Sequence, residues 1–428
     1  MDRYRDQLVF LGIVRSAQEM ADFYAACDLL ALPSDTECFA LVQVEAMLCG
    51  TPVVMTDVPG GRMPVATTGM GRLAPRGDWQ AIGDAIVEVL DHRERYVKAR
   101  EAIAAHWLGG APVARPRADA DRLILTASTS EAYAFLFKLL CGPGDTILVP
   151  APSYPLFDYL AALEGVAVAT YPLALEERFR VDPDAIAARL RRPGSRPPRA
   201  VVLVNPNNPT GTGLATPERE AIDRLCADAG AALVSDEVFL DYGWGAAPVA
   251  TTAGPVADGA PAALTFTLGG LSKGSALPQM KLGWMLADGP GAACAEALER
   301  LELIADSYLS VGTPVQLAAP RLLELGDALG RRVRERIRTN LDQLGKAIPP
   351  DAACRLLPAD GGWTAVIQVP AVRSEEDLVL ELLRDGDLLV HPGYFFDFPR
   401  EAFVVISLLP EPAPFAEGID RLLERTGR

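Results

Sequence analysis

The chain has 428 residues, half of them hydrophobic, with a mean hydropathy of +0.15 and a formal net charge of -16. This length and composition predict globular domains with large cores, and the acidity argues against nucleic acid or an anionic membrane as a partner. No apolar run reaches the length that spans a bilayer, and the first residues lack the pattern of a signal peptide. Seven cysteines without a C-x-x-C pair predict reduced thiols and a cytoplasmic protein. Three distant histidines predict no metal site.

The N-terminal quarter of the chain alternates between apolar strands and helices. Strand patterns at 7–14, 29–34 and 51–56 enclose helical patterns at 17–27 and 39–49. Because short links join these elements in strand–helix–strand order, the region predicts a parallel sheet.

Two glutamates, Glu37 and Glu45, flank seven residues where the second of these helices begins. Together with the segment 49–54, Cys-Gly-Thr-Pro-Val-Val, they resemble the C-terminal half of retaining GT-B glycosyltransferases (group 1) over about residues 7–95. The resemblance implies that both glutamates contact the sugar and ribose of a nucleotide-sugar donor, since carboxylates accept hydrogen bonds from hydroxyls. That family also needs an acceptor domain, for which Met1 leaves no room. The region is therefore expected to be a partial, Rossmann-like donor domain.

A third helical pattern runs from Asp78 to Trp107 and is followed by the linker-like sequence Gly109-Gly110-Ala111-Pro112. The part from Ala99 to Trp107 suits either the last helix of a glycosyltransferase or an early helix of the next domain. We expect a fusion joint near 93–107, within a junction helix and linker at 96–120.

From residue 121 onward, strands and helices alternate again, and chemically useful residues come directly after the strands. The strand at 123–126 leads to Ser128, Thr129 and Ser130, where Ser128 and Glu131 have capping-box spacing. A helix N-terminus rich in hydroxyl groups suits a phosphate, although the same pattern also describes an ordinary capped helix. Tyr154 comes after the next strand, as a core aromatic or a platform for a flat ring.

The two most informative strands end in charged residues. Asp236 follows the apolar run 231–235, and Lys273 follows the run 264–270 after paired glycines. A carboxylate at the end of an apolar strand is costly unless it meets a positive charge. Ligands bind at the carboxyl edge of open α/β sheets, so we expect a site there with Lys273 at its centre.

Five motifs in this order resemble the large domain of fold-type-I pyridoxal-phosphate aminotransferases (class I/II), over about residues 100–428. The resemblance implies pyridoxal 5'-phosphate as the cofactor and a Schiff base between it and Lys273. It also implies contacts from Asp236 to the pyridinium nitrogen and from Asn208 to the phenolic oxygen. The ring would stack on Tyr154. The phosphate would be held by four residues, Ser128, Thr129, Ser130 and Lys281.

Two positions depart from that family's pattern. Phe239 stands where a tyrosine often bonds the phenolic oxygen, with Tyr242 nearby but off-pattern. Val405, before Ile406-Ser407, stands where an arginine usually binds the substrate's α-carboxylate. The family's opening segment would come before residue 123, and we expect it to be missing here, because the glycosyltransferase-like region occupies its place.

We therefore expect an α/β protein with a three-layer αβα large domain at 121–305 and a small C-terminal α/β domain at 306–428, preceded by the partial domain at 1–95. The expected function is an aminotransferase, acting on an amino acid and a 2-oxo acid and forming a homodimer. A lyase or decarboxylase on the same scaffold stays open. Two further alternatives are a nucleotide-sugar-dependent glycosyltransferase and a catalytically inert composite of the two fragments.

Overall fold

The structure is a computed structural model. It describes residues 9, 14, 17–34, 41–58, 61–97, 120–175, 178–192, 196–245, 249–254, 260–349 and 351–426. The chain divides into two compact units, Met1–Ala102 with Gly312–Pro320 and Ile103–Val311 with Arg321–Arg428. The predicted boundary between a large and a small domain at residue 305 stays a prediction.

The first unit contains a three-stranded parallel sheet in the order β1-β2-β3, with β1 at Leu30–Leu32, β2 at Val53–Thr56 and β3 at Gly71–Ala74. Its helices are α1 (Ala17–Ala26), α2 (Leu41–Leu48), α3 (Arg62–Thr68) and α4 (Trp79–Asp91). The central strand β2 is buried along its whole length, as its unbroken apolar sequence predicts.

The prediction of one continuous helix from Asp78 to Trp107 is wrong, and its part at 98–107 lies outside the described residues. Helix α4 ends at Asp91, and a 3-10 turn at Arg93–Arg95 comes next. The turn directs the guanidinium of Arg93 to the carbonyl oxygens of Asp28 and Gly50, 3.4 Å from each. These long-range bonds are invisible to helical periodicity. The predicted junction helix and linker lie almost entirely at 98–119, outside the described residues.

A seven-stranded sheet organises the second unit, in the order β4-β10-β9-β8-β7-β5-β6. Strand β10 runs antiparallel to its neighbours β4 and β9, whereas the other paired strands are parallel. The strands are β4 (Leu123–Thr126), β5 (Thr146–Ala151), β6 (Ala167–Pro172), β7 (Ala200–Val204), β8 (Ala232–Asp236), β9 (Thr265–Gly270) and β10 (Gly283–Asp288).

Helices cover both faces of this sheet, because its strands are apolar on both sides. The helices are α5 (Thr129–Leu140), α6 (Phe157–Leu163), α7 (Pro183–Leu190), α8 (Thr216–Ala229), α9 (Leu271–Gly274) and α10 (Gly291–Tyr308). Within β7, Val202 packs into a core with α5, α6 and α10, whereas Val201 packs into the opposite core with α7 and α8. The result is the expected three-layer αβα arrangement.

A four-stranded antiparallel sheet, in the order β11-β12-β14-β13, lies in the C-terminal part of the chain. Its strands are β11 (Arg355–Leu356), β12 (Thr364–Gln368), β13 (His391–Pro392) and β14 (Phe403–Ser407). The helices of this part are α11 (Thr313–Ala347), α12 (Glu375–Gly386) and α13 (Pro412–Thr426). In the described part of the chain, no helix combines the length and the apolar character that crossing a membrane requires.

Candidate active site

The strand register brings the chemically useful loops to one edge of the seven-stranded sheet. Asp236 at the end of β8 lies beside Leu268 of β9, and its carbonyl oxygen accepts the backbone N–H of Asn205 at 2.8 Å. Gly283, the first residue of the antiparallel strand β10, lies between Gly270 and Thr126, the last residues of β9 and β4. The residues just past these strand ends therefore face a common edge, as predicted.

Lys273 lies in the short helix α9, directly after β9, and is half-buried. Its Nζ is 5.0 Å from the centroid of the Trp363 ring and 5.8 Å from that of Phe239. Burial lowers the pKa of the Lys273 amine, because removal of water disfavours the charged form, and the nearby Asp236 opposes this shift only in part. A larger fraction of the amine is thus neutral than in a solvated lysine.

Tyr242 holds the backbone of Lys273. Its hydroxyl donates to the carbonyl oxygen of Lys273 at 2.8 Å, and its ring packs edge-on against Trp363 with centroids 5.2 Å apart. Tyr242 lies at the end of a 3-10 turn, Leu240–Tyr242, and is buried. Tyr242, which lies outside the family's tyrosine position, therefore supports the backbone of the lysine.

Asp236 is held by two donors. The backbone N–H of Val238 donates to its Oδ1 at 3.2 Å, and the hydroxyl of Tyr133 donates to its Oδ2 at 3.3 Å. Burial raises the pKa of Asp236 to about 6, and the charge of Glu237 adds to the rise, whereas both hydrogen bonds and Lys273 oppose it. The carboxylate is thus fixed in position but short of positive charge.

Glu237 is a buried carboxylate beside Asp236. Its Oε1 accepts from the Thr252 backbone N–H at 2.7 Å and from the Thr252 hydroxyl at 3.0 Å, and its Oε2 accepts from the Thr251 hydroxyl at 2.6 Å. The hydroxyl of Ser235 adds a fourth bond at 3.2 Å. These bonds compensate the burial of the charge, and they anchor residues 251–252 beside the end of β8.

Ser128 is the N-cap of α5, as its spacing from Glu131 predicts. Its hydroxyl oxygen accepts the Glu131 backbone N–H at 3.2 Å, and the Glu131 carboxylate accepts the Ala127 N–H at 2.6 Å. Thr129 and Ser130 form the first turn and are half-buried. The first amides of a helix have no partners within it, so this N-terminus can receive an anion.

Lys281 lies two residues before β10 and is exposed, with a left-handed backbone at φ 51°. Gly283, at the start of that strand, lacks space for a side chain, because a Cβ there would lie 3.1 Å from the carbonyl carbon of Ser128. The glycine permits close packing of β10 against the residues before α5, which brings the start of β10 to the N-terminus of α5.

Tyr154 comes after β5, and 45% of its side chain is exposed. Burial of the remainder raises the pKa of its hydroxyl, and the charge of Asp236 contributes. The two side chains are thus electrostatic neighbours at the sheet edge, which leaves the exposed ring able to contact a flat ligand.

Asn208 is half-buried in the loop after β7. The preceding Asn207 braces that loop, because its Nδ2 donates to the carbonyl oxygen of Pro152 at 3.1 Å and to the Thr210 hydroxyl at 2.9 Å. The Oδ1 of Asn207 is buried and has no hydrogen-bond partner within the described part of the chain. The two bonds of the Asn207 amide therefore connect this loop to the segment after β5 and to its own far end.

Phe239 and Val405 occupy the two positions that depart from the family pattern. Phe239 is buried, and its ring packs edge-on against Trp363 at 5.5 Å. Val405 is buried in β14, among apolar residues that include Val366, Phe396 and Phe403. Neither side chain can bind a phenolic oxygen or a carboxylate.

The residues at this edge fit the cofactor that the resemblance implies. They provide an amine with a lowered pKa, a carboxylate fixed by two donors, an exposed aromatic ring and a helix N-terminus for a phosphate. Among the described residues, no group of histidine, cysteine and acidic side chains could hold a metal ion.

The first unit holds the two glutamates of the glycosyltransferase-like region. Glu37 lies outside the described residues. Glu45 is exposed on α2, and its Oε2 accepts the hydroxyl of Tyr24 at 3.2 Å. This arrangement raises the pKa of Tyr24 to about 12, with burial as the main cause and Glu45 as the second.

Sequence reasoning missed three residues of the site, which are Tyr133, Glu237 and Trp363. Tyr133 on α5 has the spacing of a core aromatic, and nothing in the sequence separates it from one. Trp363 lies 90 residues from Lys273 in the sequence, so no local pattern connects the two residues. Glu237 carried a usable signal, because a second acidic residue directly after an apolar strand requires donors of its own.

Comparison with known proteins places two families on this chain. The model for aminotransferase class I and II matches residues 92–422, and the model for glycosyl transferases group 1 matches residues 3–106. The two matches overlap at residues 92–106, where the sequence predicts a fusion joint.

Individual relatives agree with the larger match. The chain is 28% identical over 308 residues to the arginine–pyruvate transaminase AruH of Pseudomonas aeruginosa, covering 71% of this chain and 74% of the relative. It is 30% identical over 328 residues to 4-dedimethylamino-4-oxo-anhydrotetracycline transaminase OxyQ of Streptomyces rimosus, covering 76% and 82%.

A solved alanine aminotransferase from Pyrococcus furiosus has the same fold, with a TM-score of 0.63, 24% identity, and coverage of 76% of this chain and 80% of that one. The family match covers more than half of the chain and includes every site residue described at the sheet edge. The chain therefore belongs to the aminotransferase class I and II family, whose enzymes depend on pyridoxal phosphate, and it carries a glycosyltransferase-like region at its N-terminal end.

Proposed function

We propose that Lys273 is the residue to which pyridoxal phosphate is attached, and that this chain transfers an amino group between an amino acid and a 2-oxo acid. The observation that carries the proposal is that the half-buried Lys273 amine and the carboxylate of Asp236 come from the ends of two paired strands, β9 and β8, at one edge of the sheet. Burial keeps the amine partly neutral, and only a neutral amine can attack a carbonyl or accept a proton.

The remaining site residues hold the cofactor in this proposal. Asp236, fixed by Tyr133 and Val238, would keep the ring nitrogen protonated. Tyr154 would stack on the ring, and Asn208 would donate a hydrogen bond to its oxygen substituent. Ser128, Thr129 and Ser130 would donate hydrogen bonds to the phosphate, and Lys281 would offset part of its charge. When bound, the cofactor supplies an electron sink that stabilises negative charge on the carbon beside the transferred amine.

Lys273 then acts as the general base. Its free amine would take the proton from the α-carbon of the amino acid and deliver it to the cofactor carbon that bears the transferred nitrogen, and with the 2-oxo acid bound it would move a proton in the reverse direction. The rings of Trp363 and Phe239, 5.0 and 5.8 Å from its Nζ, keep water from the amine. The bond between Tyr242 and the Lys273 carbonyl oxygen keeps the lysine backbone in place throughout.

We infer further that the enzyme is a cytoplasmic homodimer. The six described cysteines are free thiols, which agrees with a reducing compartment. The family resemblance implies a site at a dimer interface. Light scattering on the purified chain measures its mass, and a monomer that is fully active contradicts this part of the proposal.

Absorbance of the purified chain incubated with pyridoxal phosphate tests the central proposal. We expect a visible band that borohydride fixes to the peptide containing Lys273, and its loss in Lys273→Ala. Lys346→Ala, at an exposed lysine, is the matched control and keeps the band. Conversion of the band by amino acids, with release of the 2-oxo acid, separates a transaminase from a lyase or decarboxylase. A folded parent that forms no band leaves an inert composite as the better account.

The match at residues 3–106 supports a second candidate function, nucleotide-sugar binding by the first unit. Calorimetric titration with UDP-glucose tests it, with Glu45→Gln as the variant. Absence of heat from the parent protein excludes binding of that donor, and binding that Glu45→Gln leaves unchanged excludes a role for Glu45.

A further inference from the structure

Two aromatic rings form one side of the space around the Lys273 amine. We call Trp363 and Phe239 the aromatic wall; the centroids of their rings lie 5.0 and 5.8 Å from the Nζ of Lys273. The rings pack edge-on, with centroids 5.5 Å apart and planes at 68°. A substrate amine that replaces the lysine amine therefore arrives beside an aromatic surface.

The aromatic wall is held rigidly. Tyr242 packs edge-on against Trp363, with ring centroids 5.2 Å apart. Two hydrogen bonds hold the backbone around Trp363. Its carbonyl oxygen accepts the Leu408 N–H at 2.8 Å, and the N–H of Gly362 donates to the carbonyl oxygen of Tyr242 at 3.0 Å. Gly361 allows this close packing, because a Cβ there would lie 2.9 Å from the carbonyl oxygen of Tyr242. A preformed surface loses little entropy when a ligand packs on it.

The charges near the amine disfavour an acidic side chain. Within the part of the chain that the structure describes, Asp236 is the charged group whose field acts on Lys273. A side-chain carboxylate in this space would lie against the two rings of the aromatic wall, so its desolvation would be costly.

We propose that the aromatic wall selects the amino donor, and that the preferred donor carries an aromatic side chain rather than an acidic one. This inference rests on the proposed function, because it assumes that the substrate amine reacts where the Lys273 amine lies. The α-carbon is about 1.5 Å from its amine. A side chain on that carbon therefore comes within the ~4.5–7 Å at which aromatic rings pair.

Binding of two unreactive acids to the cofactor-loaded full chain tests the proposal without turnover. The probes are 3-phenylpropanoate and glutarate, titrated against the parent, Trp363→Leu and Trp363→Phe. Trp79→Leu, at a tryptophan that is 68% exposed in the first unit, is the matched control. We expect the parent to bind 3-phenylpropanoate about tenfold more tightly than glutarate. Trp363→Leu should remove that preference, Trp363→Phe should keep most of it, and Trp79→Leu should keep all of it.

Equal binding of both acids by the parent overturns the proposal, and so does an equal loss for both in Trp363→Leu, which indicates a structural role. Should Trp363→Leu fail to fold, the ratio in Trp363→Phe decides: a preference somewhat weaker than that of the parent supports the proposal, and an unchanged preference overturns it. The rate at which phenylalanine and glutamate convert the cofactor band gives a second readout, with phenylalanine faster. A protein that forms no band at Lys273 contradicts the proposed function itself, whereas a band with no aromatic preference contradicts only this inference.

Discussion

The hydroxyl of Tyr242 donates a hydrogen bond of 2.8 Å to the carbonyl oxygen of Lys273. This phenol connects three regions that are distant in sequence, since its own turn comes after β8, its partner comes after β9 and its ring packs against Trp363. The hydrogen bond therefore fixes the backbone of Lys273, from which the lysine side chain extends into the site.

Replacing Tyr242 with phenylalanine removes this bond and leaves the backbone N–H of Ala276, at 3.0 Å, as the donor to the Lys273 carbonyl oxygen. We expect a loss of about 1 kcal/mol in the free energy of unfolding, together with a slower formation of the Lys273 band. Urea denaturation and stopped-flow absorbance measure the two effects. Tyr159→Phe is the control, because that side chain is 72% exposed. Equal stabilities of the two variants would show that the bond contributes nothing.

The raised pKa of Asp236 makes the cofactor-free protein less stable as the pH rises. The value is about 6 in the folded chain, against an ordinary value of 3.8. The folded state therefore binds the proton more tightly, so this contribution to stability is present below pH 4 and is lost as the pH rises through 6. A rise of this size corresponds to about 3 kcal/mol.

Asp236→Asn stays neutral and avoids that loss. We expect its stability relative to the parent to increase by up to about 3 kcal/mol between pH 4 and pH 7 and then to level off. Urea denaturation at intervals across this range measures the difference. Asp158→Asn, at an exposed position, is the control for the substitution itself. A constant difference between Asp236→Asn and the parent would mean that the pKa of Asp236 is ordinary.

The sequence was sufficient for the positions of Asp236 and Lys273, because both come after apolar runs that can only be buried strands. Parallel pairing then determines that the two strand ends share an edge. The N-cap role of Ser128 was equally predictable, since a capping box depends on residues three apart. These are local patterns whose consequences do not depend on the rest of the fold.

The partners of these residues could not be predicted in the same way. The donor to Asp236 is a helical tyrosine, Tyr133, 103 residues away, and the ring nearest Lys273 belongs to Trp363. Which long-range side chains meet depends on how helices and the C-terminal sheet pack, and periodicity carries no information on that. The end of α4 escaped prediction for the same reason, because tertiary bonds of Arg93 accompany it.

Close packing behind Lys273 predicts the effect of adding one methyl group. Gly326 of α11 faces the residue two positions after the lysine, and a Cβ there would lie 2.2 Å from the Oγ and 2.3 Å from the Cβ of Ser275. Gly326→Ala should therefore cost about 1–3 kcal/mol of stability and lower the occupancy of Lys273 by cofactor, measured by borohydride fixation.

The same helix offers a matched control in Gly345, where a Cβ would meet nothing within 4 Å. Gly345→Ala should raise stability by up to about 1 kcal/mol, since alanine is the better helix former, and should leave cofactor occupancy unchanged. If the two variants behave alike, the contact between α11 and Ser275 does not position the lysine.

Substitutions at two N-cap serines can distinguish an effect on cofactor binding from an effect on helix capping. Ser128 caps α5 by accepting the Glu131 N–H at 3.2 Å, and Ser374 caps α12 by accepting the Asp377 N–H at 3.1 Å. Alanine at either position should cost about 1 kcal/mol of stability.

Only Ser128 lies at the sheet edge where a phosphate is expected. Ser128→Ala should therefore raise the dissociation constant for pyridoxal phosphate by about three- to tenfold, whereas Ser374→Ala should leave it unchanged. Fluorescence titration of both variants measures the constants, and thermal melts confirm that their losses of stability match. Inorganic phosphate should compete with the cofactor for the parent and less well for Ser128→Ala, because it would use the same helix N-terminus. An unchanged constant in Ser128→Ala would restrict that serine to its capping role and leave the phosphate to Thr129, Ser130 and Lys281.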